Sequence, residues 1–562
     1  MKKTKRLLAL LLVSVFILAA CASPDSGGPS TDAGTGAGTG TGTGGGGTTT
    51  TPTPTEDDDG REMHGNMYVV GLPLVKERES FTMFVDDNGL AEDKLMFPVL
   101  EEQTNVHVDL TLVPYQAALE RLNIMLNSGD YPDVIGGWLL NDNSILTNGM
   151  QEKIFIPIDG MIETYSPRMR EILEIGGVRR TMTLPDGHIY TIPYVIGEPI
   201  VSFNPWINSV WLSDLGLQMP STTEELRDVL RAFKDADPAG GGRTIPFSGD
   251  PNNLSLGSFA GWWGVDASVA GTNRYFGMVD GQLVFGPAQE GYKQMIKFFA
   301  EMYAEGLVDP ELFTQDLVSW QTKGKNGYYG VSMAYGAGDF AEGDRDMFPD
   351  YDNERTHYDP LPVLQGNPGV RQLWRRNGFG MTTFRTQVAI TDNATNPETI
   401  IRWWDNAFEV LNSAQIQWGP LGIRLEQVSE FEFRSIPEDT LTEAEKEIYN
   451  WGNYFAQSLP KYLPSYVTLY QGNVYREKDI ADALYEPYLN QPVPRAWVTI
   501  DEAERLAIIE TDIRTYMTRI EAEWVMGQSD VEAGWEAHLA QLNALGLQEL
   551  QQMRQSAIDR VG

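Results

Sequence analysis

Cysteine is almost absent from this chain, and that scarcity sets the first limit on how the protein is built. Among 562 residues there is a single cysteine, Cys21. Because a disulfide requires two thiols, no bridge can form within the chain. The cysteine follows two alanines near the N-terminus, and this position is more informative than the count.

Basic residues are scarce as well. Lys and Arg number 42 against 78 Asp and Glu, which gives a net charge of −36. A surface this acidic disfavours nucleic acid and anionic lipid as partners. With so many carboxylates, some pair of acids could always be chosen as glycosidase residues, so the acid count does not indicate catalysis.

Histidines are few and scattered. They stand at His64, His107, His188, His357 and His538. None lies in an HExxH spacing, and no Gly-Lys-Thr follows a glycine-rich strand. Neither a zinc-protease motif nor an ATP site is therefore predicted, and we expect no cofactor and no metal.

A long apolar run is also missing. The most apolar stretch, Leu7–Ala20, is shorter than the roughly 20 residues that a membrane-spanning helix needs. It follows four basic residues within the first six positions. A basic start, a short apolar run and small residues at its end describe a secretory signal peptide over residues 1–20.

The end of this signal, Leu18-Ala19-Ala20-Cys21, resembles the lipobox of bacterial lipoproteins. The resemblance implies cleavage before Cys21, attachment of diacylglycerol to its sulfur, and further acylation such as palmitate. Two or more acyl chains anchor a protein stably. We therefore expect Cys21 to be the lipidation site and the protein to be held at the extracellular face of the cell membrane. The alternative is an ordinary signal with a cysteine there by chance.

The segment after Cys21 has the composition of a flexible tether. Residues 21–65 are rich in Gly, Thr, Ser, Pro and Asp, with few apolar side chains. Such a chain cannot bury enough apolar surface to fold, so a disordered linker is predicted. As a flexible coil it would reach roughly 35–40 Å, enough for a folded body to search the membrane surface.

The remaining chain, residues 66–562, is too long for one core and predicts at least two lobes. Its first part alternates strand and helix patterns, which predicts a partly parallel α/β sheet. The predicted strands are Ser80–Val85, Asn105–Leu112 and Asp133–Ile135, and the predicted helices are Leu90–Thr104 and Tyr115–Asn127.

Several motifs, in order along the chain, resemble the extracellular solute-binding proteins of ABC importers. Each is weak alone, but together they extend over roughly residues 80 to 530. Their length and lipobox resemble a large Gram-positive lipoprotein subgroup related to maltose- and alginate-binding proteins. The motifs are Asn127–Ile135, Asp186–Tyr194, Trp211–Leu217 with Pro220–Leu226, Glu301–Pro310, and Asn396–Asp405.

The resemblance implies a two-lobed periplasmic-binding-protein-like fold of type II, with several hinge crossings and a helical C-terminal tail. We place the first lobe at about residues 66–195 and 376–430, and the second at about 196–375 and 431–562. The implied function is an ABC importer receptor that captures a carbohydrate, expected to be an oligosaccharide, in the interlobe cleft. The implied partners are the permease subunits, the chain would be a monomer, and catalysis is not expected. The alternative is a secreted, lipid-anchored enzyme that degrades polysaccharides.

Sugar sites combine aromatic walls with a few fixed polar groups, and clefts in α/β folds lie just past strand ends. Trp138 follows the strand Asp133–Ile135, and Tyr194 lies at the predicted first crossing, near residues 190–199. Tyr335 and Asp339 follow the predicted strand Gly330–Ala334. For each, the alternative is an ordinary core or surface position.

Four further candidates lie elsewhere in the predicted second lobe. Trp262 and Trp263 are adjacent, and two neighbouring tryptophans are not expected to face one core together. Trp374 and Arg375 lie near the predicted return crossing, where an arginine could bind a carboxylate or a diol through its planar guanidinium. The alternative for Arg375 is an interlobe salt bridge.

Relatives of this kind often carry a calcium loop at the position of Asp235–Pro246. This chain retains Asp235, Asp237 and Gly240, but Ala239 replaces an amide ligand and Arg243 an acidic one. Calcium prefers six to eight oxygen ligands, so the loop is not expected to bind it.

Overall fold

The computed structural model describes residues 55–57, 60–197, 201, 203–251, 254–267, 274–343, 356–375, 381–437, 440–456, 458–464, 466–470 and 473–561. Cys21, the signal peptide and most of the predicted linker lie outside these residues.

Nineteen strands are present in the described residues. In chain order they are β1 Thr55–Glu56, β2 Glu62–His64, β3 Met67–Tyr68, β4 Glu79–Asp86, β5 Val106–Val113, β6 Val134–Gly136, β7 Tyr194–Gly197, β8 Asn204–Asn208, β9 Ile245–Gly249, β10 Phe276–Val279, β11 Gln282–Phe285, β12 Tyr329–Ala334, β13 Tyr358–Pro360, β14 Met381–Phe384, β15 Val388–Ile390, β16 Leu425–Gln427, β17 Glu432–Ser435, β18 Tyr462–Leu463 and β19 Thr468–Tyr470.

Eighteen α-helices accompany these strands in the same described residues. They are α1 Met96–Thr104, α2 Tyr115–Ser128, α3 Asp142–Ile145, α4 Asp159–Tyr165, α5 Pro167–Glu174, α6 Val178–Met182, α7 Ser209–Asp214, α8 Thr223–Ala236, α9 Glu290–Ala304, α10 Leu317–Lys325, α11 Pro397–Ala407, α12 Val410–Trp418, α13 Glu443–Ile448, α14 Trp451–Tyr454, α15 Asn473–Tyr485, α16 Ile500–Val525, α17 Val531–Ala544 and α18 Leu547–Val561. Within the described ranges, no helix combines the length and apolar character needed to cross a membrane.

One four-stranded sheet, in the order β15-β6-β4-β5, organises the N-terminal part of the body. β4 runs parallel to both β5 and β6, as the alternating strand and helix patterns predicted. Helix α11 packs on this part through Trp403 and Trp404, both fully buried. The carboxyl ends of β4 and β6 therefore lie together at one edge of the sheet, where α/β folds place their ligands.

A second four-stranded sheet, in the order β13-β8-β12-β9, has its own core. β12 is parallel to β9 and antiparallel to β8. The helical stripe of α9 is buried against it, as its spacing predicts; the stripe is Met295, Phe298, Phe299 and Met302. Two sheets with separate cores make two lobes.

The chain passes between the lobes through strands that lie side by side. β7 pairs antiparallel with β14, with Tyr194 opposite Phe384, and β18 pairs parallel with β7. The strands next to the two predicted crossings, β7 and β14, are thus adjacent in space. Residues 198–200 and 376–380 lie outside the described part of the chain.

The predicted lobe boundary at residue 431 is wrong. β17 and β19 form one sheet with β16, β18 joins β7, and Phe455, Leu459 and Tyr462 are buried in the core beneath the first sheet. Apolar side chains in this stretch have their burial partners in the first lobe. We therefore assign residues 60–197 and 381–470 to the first lobe, and 203–375 and 473–561 to the second.

The described end of the predicted linker is also folded rather than disordered. β1 pairs with β2 and β2 with β3, both antiparallel. Met63 is buried, and the guanidinium of Arg61 lies 3.5 Å from the centre of the Tyr68 ring. Paired backbone and a cation on an aromatic face give residues 55–57 and 60–65 a local reason to fold with the body.

The C-terminal tail is helical, as predicted, and touches both lobes. Thr499 caps α16: its hydroxyl accepts a hydrogen bond from the Glu502 N–H, and Glu502 in turn accepts one from the Thr499 N–H. The next helix, α17, is capped by Asp530, whose side chain accepts a hydrogen bond from the Ala533 N–H. Just before α16, the Trp497 indole donates to the Thr181 carbonyl of the first lobe at 2.8 Å.

Candidate ligand-binding site

The edge of the first sheet is built around the carboxyl group of Asp86, the last residue of β4. Its Oδ1 accepts a hydrogen bond from the backbone N–H of Trp138 at 2.7 Å. Gly137, between Trp138 and the end of β6, has a φ of +96°, and a Cβ there would overlap Asp86 Oδ1. Only glycine allows this close approach, so the turn that presents Trp138 depends on both residues.

Trp138 is the most exposed of the six aromatic residues among the eight predicted ligand residues. Its side chain is 46% exposed, although it is attached to a rigid strand end. Its ring and that of Phe384 form a T-shaped pair, with centroids 5.1 Å apart. A half-exposed indole held by such a contact can stack on an apolar ring of a ligand.

Tyr194 lies behind Trp138 rather than beside it. It is buried, and its ring contacts Phe384 with a centroid distance of 5.1 Å. On its other side the ammonium of Lys461 lies 5.5 Å from the ring centre. Direct ligand contact by Tyr194 is therefore not available in this conformation, and we assign it a supporting position.

The second lobe offers Tyr335, immediately after β12. The ring is partly exposed and meets Phe203 edge-on at 5.9 Å. The ammonium of Lys478 lies 4.8 Å from the ring centre and donates to the Tyr335 carbonyl at 2.9 Å and to Asn204 Oδ1 at 3.1 Å. The lysine thus fixes both the backbone and the ring of Tyr335.

Asp339 is exposed on the turn that follows Tyr335. Its carboxylate accepts a hydrogen bond from the Gly336 N–H at 3.0 Å and so closes the turn. Loss of hydration, together with the nearby Asp250 carboxylate, raises the pKa of Asp339. It remains a candidate acceptor for a ligand hydroxyl.

The argument that adjacent tryptophans cannot share a core is wrong for Trp262 and Trp263. Both are buried, at 1% and 6% exposure, in the core of the second lobe. They end a 3-10 turn, with Trp262 against Phe259 and Trp263 against Phe298. The core surrounds the turn on both sides, so neither indole reaches a cleft.

Trp374 is likewise a core residue, against prediction. It is 3% exposed and packs edge-on against Tyr485 at 4.9 Å. Arg375 next to it is partly buried, and loss of hydration and the proximity of Arg495 lower its pKa, while Asp266 acts in the opposite direction. Asp266 lies in the second lobe, as Arg375 does, so this environment gives no support to an interlobe salt bridge, and ligand contact by Arg375 stays a prediction.

Four site residues were missed by sequence reasoning: Asp86, Phe384, Lys461 and Lys478. The rule that places ligands at strand ends could have found Asp86, since it directly follows the predicted strand Ser80–Val85. The two lysines carry no such signal. Each reaches its tyrosine from a segment far along the chain, so only the fold brings them together.

The Asp235–Pro246 loop does not fit a calcium ion. Asp237 accepts hydrogen bonds from the Gly242 N–H at 2.6 Å and from the Thr244 hydroxyl at 2.8 Å. These bonds and the charge of Arg243 lower the pKa of Asp237. The carboxylate therefore closes the loop on itself, and within the described residues no cluster of three or more His, Cys, Asp or Glu could hold a metal.

The Asp86 carboxyl should make the free energy of unfolding depend on pH. Burial raises its pKa to about 6, although the hydrogen bonds from Trp138 and Ser458 oppose the shift. A raised pKa means that folding favours the neutral acid. The wild-type chain should therefore lose stability as the pH rises from about 4 to about 6, with no further loss from this group above it.

The measurement is the free energy of unfolding of Asp86→Asn relative to wild type, followed by urea denaturation from pH 4 to pH 8. The asparagine does not titrate, so the difference should shift in favour of the variant up to about pH 6 and then level. The exposed Asp130→Asn is the matched control. Equal pH profiles for Asp86→Asn and wild type would contradict a raised pKa.

Comparison with known proteins places the chain in a family. The model of the family described as "Bacterial extracellular solute-binding protein" matches residues 77–412. The fructooligosaccharide ABC transporter substrate-binding protein FusA of Streptococcus pneumoniae serotype 4 is 31% identical over 496 residues, which cover 83% of this chain and 87% of FusA.

Solved structures agree with this match. An EF-hand mutant of S. pneumoniae FusA in complex with fructo-nystose has a TM-score of 0.72 and 28% identity, covering 86% of this chain and 99% of that one. The alginate-binding protein AlgQ2 without calcium ion has a TM-score of 0.68 and 22% identity, covering 87% and 100%, which concerns the fold alone. The predicted two-lobed α/β fold is confirmed, and the chain belongs to the bacterial extracellular solute-binding protein family.

Proposed function

We propose that this protein is the receptor of an ABC importer and that it captures an oligosaccharide between its two lobes. The observation that carries the proposal is the half-exposed indole of Trp138, held at the sheet edge by Asp86 and Gly137. A fixed aromatic face at the carboxyl end of parallel strands suits a sugar ring. The relative FusA, whose structures hold fructo-nystose and kestose, supports a fructooligosaccharide as the first ligand to test.

Each lobe would contribute one aromatic contact. Trp138 belongs to the first lobe and Tyr335 to the second, and each is supported by buried groups of its own lobe. A ligand that touches both stabilises the closed arrangement, because it gains contacts there that the open arrangement lacks. Binding followed by presentation to a permease requires no bond to be broken, so catalysis is not part of the proposal.

We further propose that the mature protein begins at a diacylated Cys21 and acts as a monomer at the extracellular face of the membrane. The lipobox-like sequence Leu18–Cys21 and the Gly-Thr tract that follows it support this. The tract would let the folded body move between the membrane-bound permease and its surroundings.

The ligand class can be tested by thermal unfolding of the folded body, residues 53–562, with saccharides. Kestose or nystose at 100 times its dissociation constant should stabilise the folded state by about 2.7 kcal/mol. Unrelated peptides serve as controls. If peptides shift the transition and saccharides do not, the carbohydrate assignment fails, and release of shorter sugars by the purified protein would indicate an enzyme instead.

Trp138→Ala should separate a binding role from a packing role. Loss of a stacking aromatic should weaken saccharide binding by about 2–4 kcal/mol. The melting transition should change little, because nearly half of the side chain is already exposed. The matched variant is Trp374→Ala, which removes a buried indole and should cost about 3–5 kcal/mol of stability.

The opposite pattern would reject the role of Trp138. A large fall in stability with intact affinity would show that its indole is needed for folding, not for binding.

Cys21→Ser tests the anchor. Serine lacks the thiol that receives the lipid, and the apolar run before it is too short to span a bilayer stably. The variant expressed from its full-length gene should be lost from the membrane fraction and recovered in the medium. Retention and processing like those of wild type would contradict lipidation at Cys21.

A further inference from the structure

A second half-exposed tryptophan stands at the same edge of the first lobe. Trp451 begins α14 and is 51% exposed. Its neighbour Gly452 accepts a hydrogen bond through its carbonyl from Lys94 Nζ at 2.6 Å, and Lys94 forms an ion pair with Asp87 at 2.7 Å. Asp87 directly follows Asp86 at the end of β4, so Trp451 is tied to the strand end that also positions Trp138.

This attachment is rigid rather than incidental. The Lys94 side chain is fully buried, and such a cation is stable only when it is paired and hydrogen-bonded. The Asn453 carbonyl also accepts a hydrogen bond from the Leu95 N–H at 2.8 Å. A single exposed apolar side chain needs no explanation by itself, but this one is held by a buried ion pair at the ligand edge of the sheet.

A continuous row of side chains connects the two indoles. The ammonium of Lys461 lies 5.9 Å from the Trp451 ring and 5.5 Å from the Tyr194 ring. Tyr194 contacts Phe384, and Phe384 contacts Trp138, each with ring centroids 5.1 Å apart. Trp138 and Trp451 are therefore the two exposed ends of one row, and between them lie the buried Tyr194 and Lys461 and the partly buried Phe384.

The backbone between these ends follows the same edge. Ser458, between Trp451 and Lys461 in sequence, donates through Oγ to the Asp86 carbonyl at 3.2 Å. The same Oγ lies next to Gly137, so the segment crosses the turn that presents Trp138. The segment that carries Trp451 thus borders the Trp138 site instead of lying on a remote face.

We propose that Trp451 is a second stacking platform for a saccharide, at a subsite distinct from that of Trp138. This proposal rests on the proposed function and extends it, because a second platform defines the length of ligand that binds. A chain with one unit on Trp138 and another on Trp451 gains both contacts, whereas a short sugar gains one. The first lobe therefore selects for oligosaccharides over mono- and disaccharides.

The test is calorimetric titration of the full chain with fructose, sucrose, kestose and nystose. The variants are Trp451→Ala, Trp451→Phe and Trp138→Ala. Trp451→Ala should weaken binding of the longest saccharides roughly 10- to 100-fold and change the shortest bound saccharide less than about twofold. Trp451→Phe keeps an aromatic face and should restore most of the affinity. Trp138→Ala should weaken every length.

The matched control is Phe431→Ala, which removes an exposed aromatic that contacts Tyr466 on the outer sheet of the same lobe. It should leave all affinities unchanged. A wild-type chain that binds none of these sugars would overturn the proposed function together with the second platform. If wild type binds with a preference for length and Trp451→Ala keeps that preference, or weakens all lengths equally, the second platform alone is wrong.

Discussion

The geometry of the first lobe's ligand edge depends on one hydrogen bond, from the Trp138 N–H to the Asp86 carboxyl. The bond is 2.7 Å long and lies in a place where the carboxyl has lost most of its hydration. A poorly hydrated acceptor costs free energy unless its partners are kept, so the chain around it cannot rearrange cheaply. The Asp86 carboxyl comes so close to the backbone that no side chain fits at position 137, and the residue there is glycine.

The same constraint explains why an exposed tryptophan can be well positioned. Trp138 obtains its orientation from the backbone hydrogen bond and from the T-shaped contact with Phe384, although the residue is 46% exposed. Both supports lie on structured elements, β4 and β14, so little conformational entropy remains to be lost when a ligand binds. An equally exposed tryptophan on a free loop would lose that advantage.

The sequence predicted the elements that are determined locally and missed those determined by distant segments. β4, β5, β6 and α2 follow from periodicity, and the cap of α16 follows from Thr499 and Glu502. Trp262 and Trp263 were misjudged because their burial comes from both faces of a 3-10 turn, which two adjacent letters do not reveal. The lobe of residues 431–470 was misjudged because β18 pairs with a strand more than 250 residues earlier.

Two lysines in a chain poor in basic residues show how the lobes use positive charge. Each lies against a tyrosine at a crossing or strand end, Lys461 at Tyr194 and Lys478 at Tyr335. Each lysine lies far from its tyrosine in sequence, yet each stiffens the aromatic wall of its own lobe by a cation–π contact.

The C-terminal tail contributes a contact between the two lobes that forms without a ligand. Arg385 pairs with Asp142 through Nε at 3.0 Å and lies with its guanidinium carbon 3.9 Å from the centre of the Trp497 ring. Trp497 precedes the helix α16 that packs on the second lobe, so this stack holds the two lobes together at the crossing. A ligand that contacted Trp138 in one lobe and Tyr335 in the other would then favour closure through its own contacts.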